Sequence, residues 1–200
     1  MIYCSIDIET TGLNKKKCDI VQFAAVLDDL NNPQPIEKLP TFLAYFTSES
    51  YSGEPFALSM HPAIFRKIAD AQRAKMDYDE KENAHFMDIH GLPYAFRNFL
   101  TKNNVPEDPK TGSISLNIAG KNAAMFDLPF LKKKIKNWQR VYFKHRVIDP
   151  AVLYFELGKD RELPDSKKCM ERAGIPGEVA HTALEDALAV VKLIRHKLLK

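Results

Sequence analysis

The sequence predicts an α/β fold in which helices flank a mixed β-sheet. Three apolar segments near the start of the chain have the β-branched and aromatic composition of strands: one carries Ile2, Ile6 and Ile8, and the others are residues 20–27 and 39–46. Short polar loops connect them, which favours an antiparallel meander. The rest of the chain alternates between helical and strand patterns, so we expect a mixed sheet packed against helices.

The later elements follow from periodicity and from start and stop residues. Pro62 and Pro129 suit the first turns of two helices, Asp127 is the expected N-cap of the second, and Gly174 closes a third. Helices are predicted over residues 62–75, 92–102, 127–136, 151–156, 166–172 and from about 183 onward, and strands over residues 114–119 and 147–149. Residues 76–91 are charged and irregular, so we expect one domain, 1–200, with a long surface excursion at about 76–91.

Composition sets only loose limits on function. The 200 residues are 45% hydrophobic and 28% charged, and the net charge of +3 permits a polyanionic ligand without requiring one. The three cysteines, Cys4, Cys18 and Cys169, lack zinc-finger spacing, which favours free thiols in a reducing, cytoplasmic compartment. No segment has the pattern of a secretory signal or of a membrane span, so no membrane partner is expected.

Two carboxylates, Asp7 and Glu9, are set into the first strand. Side chains two residues apart on a strand share a face and lie roughly 6–7 Å apart. Flanked by isoleucines, these acids would repel each other unless a cation lay between them, and Mg²⁺ prefers such oxygen ligands. The alternative is a strand end with two solvated acids. The following Thr-Thr-Gly-Leu ends the strand at Gly12 and presents the apolar Leu13 in a loop.

Further chemical groups lie at the start of the last helix. A capping box that opens with Thr182 starts this helix at about Ala183, which leaves His181 on the preceding loop and Asp186 near the end of the first turn. Asp186 heads an apolar stripe and therefore needs a partner. The alternative is an acid that the helix dipole favours. Asp127 has a similar alternative, because helix capping alone would explain it.

Three segments resemble the exonuclease motifs of the DEDDh, or DnaQ-like, 3′–5′ exonucleases. They are Asp7-x-Glu9-Thr10-Thr11-Gly12-Leu13, Asn122…Phe126-Asp127-Leu128-Pro129-Phe130-Leu131 and His181-x₄-Asp186. Their order and separation match the family, and the resemblance spans residues 2–198. It implies a ribonuclease H-like fold, with a five-stranded mixed sheet whose first three strands are antiparallel and which helices flank.

The resemblance also implies a catalytic role for each matching position. Asp7, Glu9, Asp127 and Asp186 would bind two divalent cations, Mg²⁺ or Mn²⁺, and His181 would be the general base. Two metals about 4 Å apart activate the attacking water and stabilise the leaving 3′-oxygen. A neutral imidazole, with a pKa of about 6.5, suits proton transfer near neutral pH. The expected product is a nucleoside 5′-monophosphate.

Substrate contacts are implied at a second set of positions. They are Thr10, Thr11, Leu13, Met60, His61 and Asn122. Leu13 would wedge against a base, and Met60-His61 resembles a hydrophobic–His pair that precedes the next helix in the family. One extra residue separates Asn122 from the motif aspartate, and Lys121 replaces the commoner histidine. Asp149 occupies a position where relatives often carry an aspartate, and we expect its role to be structural.

The first functional hypothesis is a 3′–5′ exonuclease that acts on single-stranded DNA ends. An enzyme that trims RNA 3′ ends, similar to oligoribonuclease, is an alternative, because nothing in the sequence indicates whether a 2′-hydroxyl is recognised. A polymerase-associated proofreading subunit, or a nucleic-acid-binding module, forms a different class. A degenerate binding module would be expected to have lost some of the five catalytic residues. A replication or repair partner is therefore left open.

A basic stretch follows the second motif. It contains Lys132, Lys133, Lys134 and Lys136, together with Trp138 and Arg140. Such a run either faces phosphate groups or forms a solvated helix face, and the sequence does not decide between the two.

Overall fold

The computed structural model describes residues 1–176 and 182–199. Its strands are β1 Ile2–Thr10, β2 Ile20–Asp29, β3 Thr41–Phe46, β4 Tyr78–Asp79, β5 Ala84–Met87, β6 Ile114–Ala119 and β7 Val141–Ile148. Its helices are α1 Pro55–Met60, α2 Pro62–Ala74, α3 Leu92–Lys102, α4 Asp127–Lys134, α5 Pro150–Leu153, α6 Ser166–Ala173 and α7 Ala183–Leu198. None of the helices in these two ranges is long and apolar enough to cross a membrane.

The strands form one mixed sheet in the order β4-β5-β3-β2-β1-β6-β7. The first three strands are antiparallel, as predicted, and β6 and β7 continue the sheet in parallel with β1. The sheet has seven strands, so the prediction of five was wrong. The two additional strands, β4 and β5, lie within residues 76–91, where β5 pairs in parallel with β3.

The extra strands escaped prediction because each is short and its pairing is distant in sequence. β4 has two residues and β5 has four, too few for a periodic pattern to stand out among charged neighbours. Within β5, however, Ala84 and Phe86 are buried and pack with β3 and α2. Contact with β3, rather than local sequence, therefore makes this segment a strand.

Helices cover both faces of the sheet. On one face, α3 and α4 pack against Ile6 and Ile8 of β1 and Phe23 of β2. On the other face, α2 packs against residues of β2, β3 and β5, and α7 packs against Tyr3 and Val26. Because strand side chains alternate between faces, Asp7 and Glu9 belong to the α7 face of β1.

Helix α7 is fixed to the sheet at two places by polar contacts. At its start, the buried Gln22 accepts a hydrogen bond of 2.9 Å from the backbone N–H of Ala183. Towards its end, Arg195 Nε donates to the buried Asp28 at 2.8 Å, and the Tyr3 hydroxyl donates to the same carboxylate at 2.8 Å. These contacts set the position of the first turn of α7 over β1.

Most predicted helices and strands are found, with shifts at their ends. The strand predicted over residues 147–149 is longer, since β7 begins at Val141. Asp127 was expected to be the N-cap of α4, but Phe126 occupies that position and Asp127 is the first helical residue. Its carboxylate instead bonds to β1, and the capping prediction was wrong for that reason.

Candidate active site

Three carboxylates meet between β1 and α7. One side-chain oxygen from each of Asp7, Glu9 and Asp186 lies within 4.8 Å of the others. In the β1–β2 register Asp7 is opposite Ala24 and Glu9 is opposite Gln22, the residue that holds the start of α7. The small Ala24 and the Gln22 contact allow α7 to approach β1 closely enough to bring Asp186 to the pair.

A fourth acid, Asp127, joins this group from α4. Its side chain is buried, and Oδ1 accepts a hydrogen bond of 3.0 Å from the backbone N–H of Ile8. Ile8 lies between Asp7 and Glu9 on the strand. Asp127 is therefore tied to the backbone that carries the other two acids, and its charge acts on both of them.

Burial and mutual repulsion raise the pKa values of these acids. The pKa of Asp7 lies well above its usual value, first because of burial and then because of Asp127, Asp186 and Glu9. Burial, followed by repulsion from Asp186 and Asp127, raises the pKa of Glu9 to about 7. Burial raises the pKa of Asp127 to about 7 against the opposing effect of its hydrogen bonds. Such a cluster is poorly stabilised as four anions alone.

The donor set of the site fits a hard divalent cation. Mg²⁺ and Mn²⁺ prefer carboxylate oxygens, and the three oxygens grouped within 4.8 Å are close enough to share one ion. A bound cation would reverse the repulsion that raises the pKa of Asp7 and Glu9. The acidic cluster can therefore hold metal, with Asp127 adjoining the three grouped acids.

His61 lies beside the acids rather than at the surface. Its imidazole is buried, and Nε2 is 3.5 Å from Glu9 Oε2. Met60, the preceding residue, is 43% exposed at the end of α1. The structure thus separates the predicted pair: His61 contacts a carboxylate, and Met60 faces solvent.

The loop after β1 is held in place by its two threonines. The Thr10 hydroxyl donates to the carbonyl of Gly12 at 2.9 Å. The Thr11 hydroxyl donates to the carbonyl of Ser52 and accepts from the N–H of Asp19 at 2.7 Å. Gly12 has a φ of 152°, and a Cβ there would meet Cys18 Sγ at 2.7 Å, so only glycine fits.

This arrangement leaves Leu13 projecting from the loop. Its side chain is 77% exposed, and it lines a cavity together with Met125 and Phe126, which precede Asp127. Met125 is 79% exposed. The structure therefore places two exposed apolar side chains, from the first and second motifs, around one cavity.

Asn122 begins the turn that leads to α4. It has a positive φ of 56°, its side chain is exposed, and its N–H donates to Asp149 Oδ2 at 2.8 Å. Asp149 also accepts from the N–H of Ala151 at 2.8 Å as the N-cap of α5. Asp149 thus has the structural role that was expected. The neighbouring Lys121 lines a cavity of about 160 Å³ that also contains Asp7 and Asp186.

His181, the predicted general base, lies outside the described residues. The adjoining capping box is present, because Thr182 Oγ1 accepts from the N–H of Glu185 at 3.4 Å and donates to its carboxylate. The start of α7 is therefore capped by Thr182, the residue that follows His181 in the sequence.

Sequence reasoning missed the residues that position the site. Gln22 holds α7, and the hydroxyl of the buried Ser5 donates to the carbonyl of Ala187 at 2.9 Å, one helical residue beyond Asp186. Each is a buried polar residue within its strand. A buried polar side chain requires a partner, and this requirement was the signal available in the sequence.

No known protein family matches the sequence, and no curated protein matches it. Among solved structures, the chain is similar to cell-death related nuclease 4 (CRN-4), with 16% identity and a TM-score of 0.65 over 97% of this chain and 62% of that chain. It is also similar to E. coli Exonuclease I in complex with a dA16 oligonucleotide, with 17% identity and a TM-score of 0.59 over 98% of this chain and 41% of that chain.

The chain has the fold of these nucleases. A second structure of Exonuclease I agrees, with 18% identity and a TM-score of 0.60. This finding is consistent with the ribonuclease H-like fold of the DEDDh exonucleases that the motifs resemble. The chain spans less than two thirds of the length of either protein, so it corresponds to a part of each.

Proposed function

We propose that this protein is a metal-dependent 3′–5′ exonuclease that hydrolyses the terminal phosphodiester bond of single-stranded DNA. The observation that carries the proposal is the meeting of Asp7, Glu9 and Asp186 within 4.8 Å, with Asp127 bonded to the same strand, in a nuclease fold. The four acids come from three separate parts of the chain. Their convergence supports one shared function over three unrelated structural roles.

In this proposal, the four carboxylates bind two divalent cations, Mg²⁺ or Mn²⁺. The cations supply activation of the attacking water and stabilisation of the leaving 3′-oxygen. His61 supports the site by holding Glu9 through the contact of 3.5 Å between Nε2 and Oε2. His181 accepts the proton of the attacking water from its position just before α7. The product is a nucleoside 5′-monophosphate.

Unpaired bases are the proposed ligands of the exposed apolar side chains at the site. Leu13 and Met60 have the exposure that base contact requires, and Met60 directly precedes His61, which contacts Glu9. The exposed Asn122 adds a polar contact from the second motif. Thr10 and Thr11 act indirectly, because their hydroxyl groups hold the loop that presents Leu13.

Single-stranded DNA is favoured over a duplex because a duplex end buries the base faces that such side chains contact. E. coli Exonuclease I has been solved in complex with a dA16 oligonucleotide, which supports DNA by analogy. RNA is the alternative substrate. The three free thiols are all buried, and we propose a cytoplasmic location, where they would stay reduced.

A degradation assay tests the proposal. Purified protein receives 5′-labelled single-stranded DNA or RNA of equal sequence, with Mg²⁺, Mn²⁺ or EDTA, and Asp7→Asn serves as the matched control. We expect a ladder that shortens from the 3′ end, requires metal and is absent in Asp7→Asn. A circular single strand should resist cleavage. The DNA-to-RNA rate ratio decides the substrate, and binding without cleavage under any metal would contradict the proposal.

A further inference from the structure

Three surface cavities form a row that begins beside Leu13, in the loop that follows the two acids of β1, and Phe126, the residue before Asp127. The first, of about 520 Å³, is lined by Leu13, Lys15 and Met125. The second, of about 480 Å³, shares Lys15 and adds Lys132. The third, of about 790 Å³, shares Lys132 and continues to Tyr142 on β7, the last strand in the described sheet order. Because neighbouring cavities share lining residues, they form one continuous surface, which we call the basic groove.

The groove carries a concentration of positive charge. The basic side chains that line its second and third cavities are Lys15, Lys132, Lys133, Lys136, Arg140 and Lys144. Among the described residues that line these two cavities there is no carboxylate; Glu54, in the first cavity, is the nearest acid along the row. A polyanion is therefore the ligand whose charge complements this surface.

The lysines of α4 and of the segment that follows it differ in whether they form an ion pair. Lys134 pairs with Asp19 at 2.8 Å and is not among the residues that line the groove. Within the described chain, Lys132, Lys133 and Lys136 form no ion pair, although other lysines of the protein do. Because no carboxylate among the described residues neutralises these three ammonium groups, they can form ion pairs with phosphate groups.

Two aromatic rings lie among these charges. Trp138 is half-buried and packs edge-on against Phe143, with ring centroids 4.7 Å apart, which fixes its orientation. Tyr142 is 58% exposed on the adjoining edge strand. Aromatic faces beside positive charges are the features with which proteins bind single-stranded nucleic acid without regard to sequence.

A simpler explanation accounts for only part of this surface. Lysines on an edge strand prevent aggregation, and Lys144 on β7 serves that purpose. Lys15, Lys132 and Lys136 do not belong to an edge strand, so edge protection does not explain them. A merely solvated helix face would not require a continuous groove that begins at Leu13 and Phe126, which belong to the two motifs that carry Asp7, Glu9 and Asp127.

We propose that the basic groove binds the 5′ segment of a single strand whose 3′ end lies at the acidic cluster. This inference rests on the proposed exonuclease function. Lys15, Lys132 and Lys136 contact phosphates, and Trp138 and Tyr142 stack on bases. The groove therefore makes the affinity for a strand increase with its length, whereas binding of the terminal nucleotide depends only on the acidic site.

The test measures binding in EDTA, so that it does not depend on hydrolysis. Trp138 is the only tryptophan of the protein, and its fluorescence reports stacking directly. Oligothymidylate of about twelve nucleotides, within the site sizes typical of such grooves, is compared with a dinucleotide. The variant is Lys132→Gln/Lys136→Gln, and the matched control is Lys102→Gln/Lys192→Gln, two exposed lysines outside the groove.

We expect the long strand to quench Trp138 and the dinucleotide to leave it unchanged. The groove variant should bind the long strand about tenfold more weakly at about 0.1 M salt. The slope of log K against log salt should become less negative by about 1.4, because each of the two lost phosphate contacts accounts for about 0.7 on a single strand. Tyr142→Ala should weaken binding without changing that slope. Hydrolysis of the dinucleotide in Mg²⁺ should be the same in all these variants and in the control.

Two results would overturn the groove proposal. One is an equal loss of affinity in the control variant, which would indicate general attraction to a basic protein. The other is equal binding of oligoglutamate, which would indicate a site for acidic peptides. Length-dependent binding in EDTA without hydrolysis in Mg²⁺ would support the groove and contradict the exonuclease proposal. Hydrolysis in Mg²⁺ with no effect of strand length on binding would support the exonuclease proposal and contradict the groove.

Discussion

The carboxylate of Asp127 accepts a hydrogen bond of 3.0 Å from the backbone N–H of Ile8, the residue between the two acids of β1. This contact joins the start of α4 to the strand at the point where its two carboxylates leave the backbone. It is made through Oδ1 of Asp127. Asp127 therefore combines a structural bond with a charge that acts on the site.

Asp127 both accepts a structural hydrogen bond and carries a charge at the site. Two substitutions should therefore affect stability differently while both reduce activity. In Asp127→Asn the amide oxygen still accepts from Ile8, so the melting temperature in EDTA should equal or exceed that of the natural protein. In Asp127→Ala the buried N–H loses its partner, which costs about 1–3 kcal/mol. Both should reduce hydrolysis by at least about a hundredfold, because metal-assisted charge stabilisation supplies several kcal/mol. Equal destabilisation by the two variants would contradict this account.

Metal should stabilise the fold through the acidic cluster. At a Mg²⁺ or Mn²⁺ concentration of about 100 times Kd, binding to the folded state adds about 2.7 kcal/mol to the free energy of unfolding. Asp7→Asn should lose most of this stabilisation. In EDTA the same variant should melt above the natural protein, since one of four repelling acids has become neutral. Thermal melts with and without metal make the comparison, and an unchanged metal response in Asp7→Asn would count against the site.

Substitution of Gln22, which lies outside the acidic cluster, should weaken metal binding at the cluster. Gln22→Ala removes the acceptor for the N–H of Ala183, which releases the first turn of α7 and with it Asp186. We expect a stability loss of about 1–3 kcal/mol and a weaker affinity for metal. The exposed Gln72→Ala on α2 serves as control and should change neither quantity. Loss of stability with normal metal affinity would limit Gln22 to a role in folding.

His181 is expected to act on the proton and not on the metal. His181→Ala should lower kcat by about 10²–10⁴-fold, the usual contribution of general base catalysis, while the metal-induced rise in melting temperature stays the same. The pH profile of kcat should also lose its acidic limb. A collapse of metal affinity in this variant would make His181 a ligand instead of a base.

Asp160 should make stability depend on acid pH. Arg172 Nη2 and Lys168 Nζ donate to its carboxylate at 2.7 and 2.9 Å, and bonds from Arg172, first of all, hold its pKa well below the usual value. The pKa of the unfolded chain is about 3.9, so the stabilisation is present above that pH and is lost as pH falls towards the folded value. Asp160→Asn should therefore lower the melting temperature at neutral pH, and by progressively less as the pH falls below about 3.9.

The control for this effect is the exposed pair Asp70 and Arg73. Solvent screens such a pair, so Asp70→Asn should change the melting temperature little at any pH. An equal pH dependence in the two variants would show that general acid denaturation, and not the Asp160 contacts, is responsible.

Local patterns were enough to predict most of the fold. Strand β6 over residues 114–119 and helix α3 over residues 92–102 were predicted with the bounds that the structure has. Each has a clear apolar period and a definite stop residue, so its local pattern is enough to predict its conformation. The strands β4 and β5 were missed because their conformation comes from pairing with each other and with β3.

In the candidate site, too, some features follow from local sequence and others depend on distant contacts. Asp7 and Glu9 share a face because a strand has a period of two, and Asp186 lies in the first turn of α7 because Thr182 caps that helix. Those placements are local and follow from sequence. The substrate role expected for His61 rests on the resemblance to the family and stays a prediction, whereas the contact of its ring with Glu9 is visible only in the folded structure.

The amino-acid pattern is enough to identify the acids and bases of the site and to place each one on its own strand or helix. The meeting of Asp186 and Asp127 with the pair on β1 arises only in the folded chain, because it depends on buried contacts between elements far apart in the sequence. Gln22 to Ala183 and Ile8 to Asp127 span 161 and 119 residues. Backbone periodicity acts over a few residues, whereas these hydrogen bonds form only once the sheet has its register and the helices are packed on it.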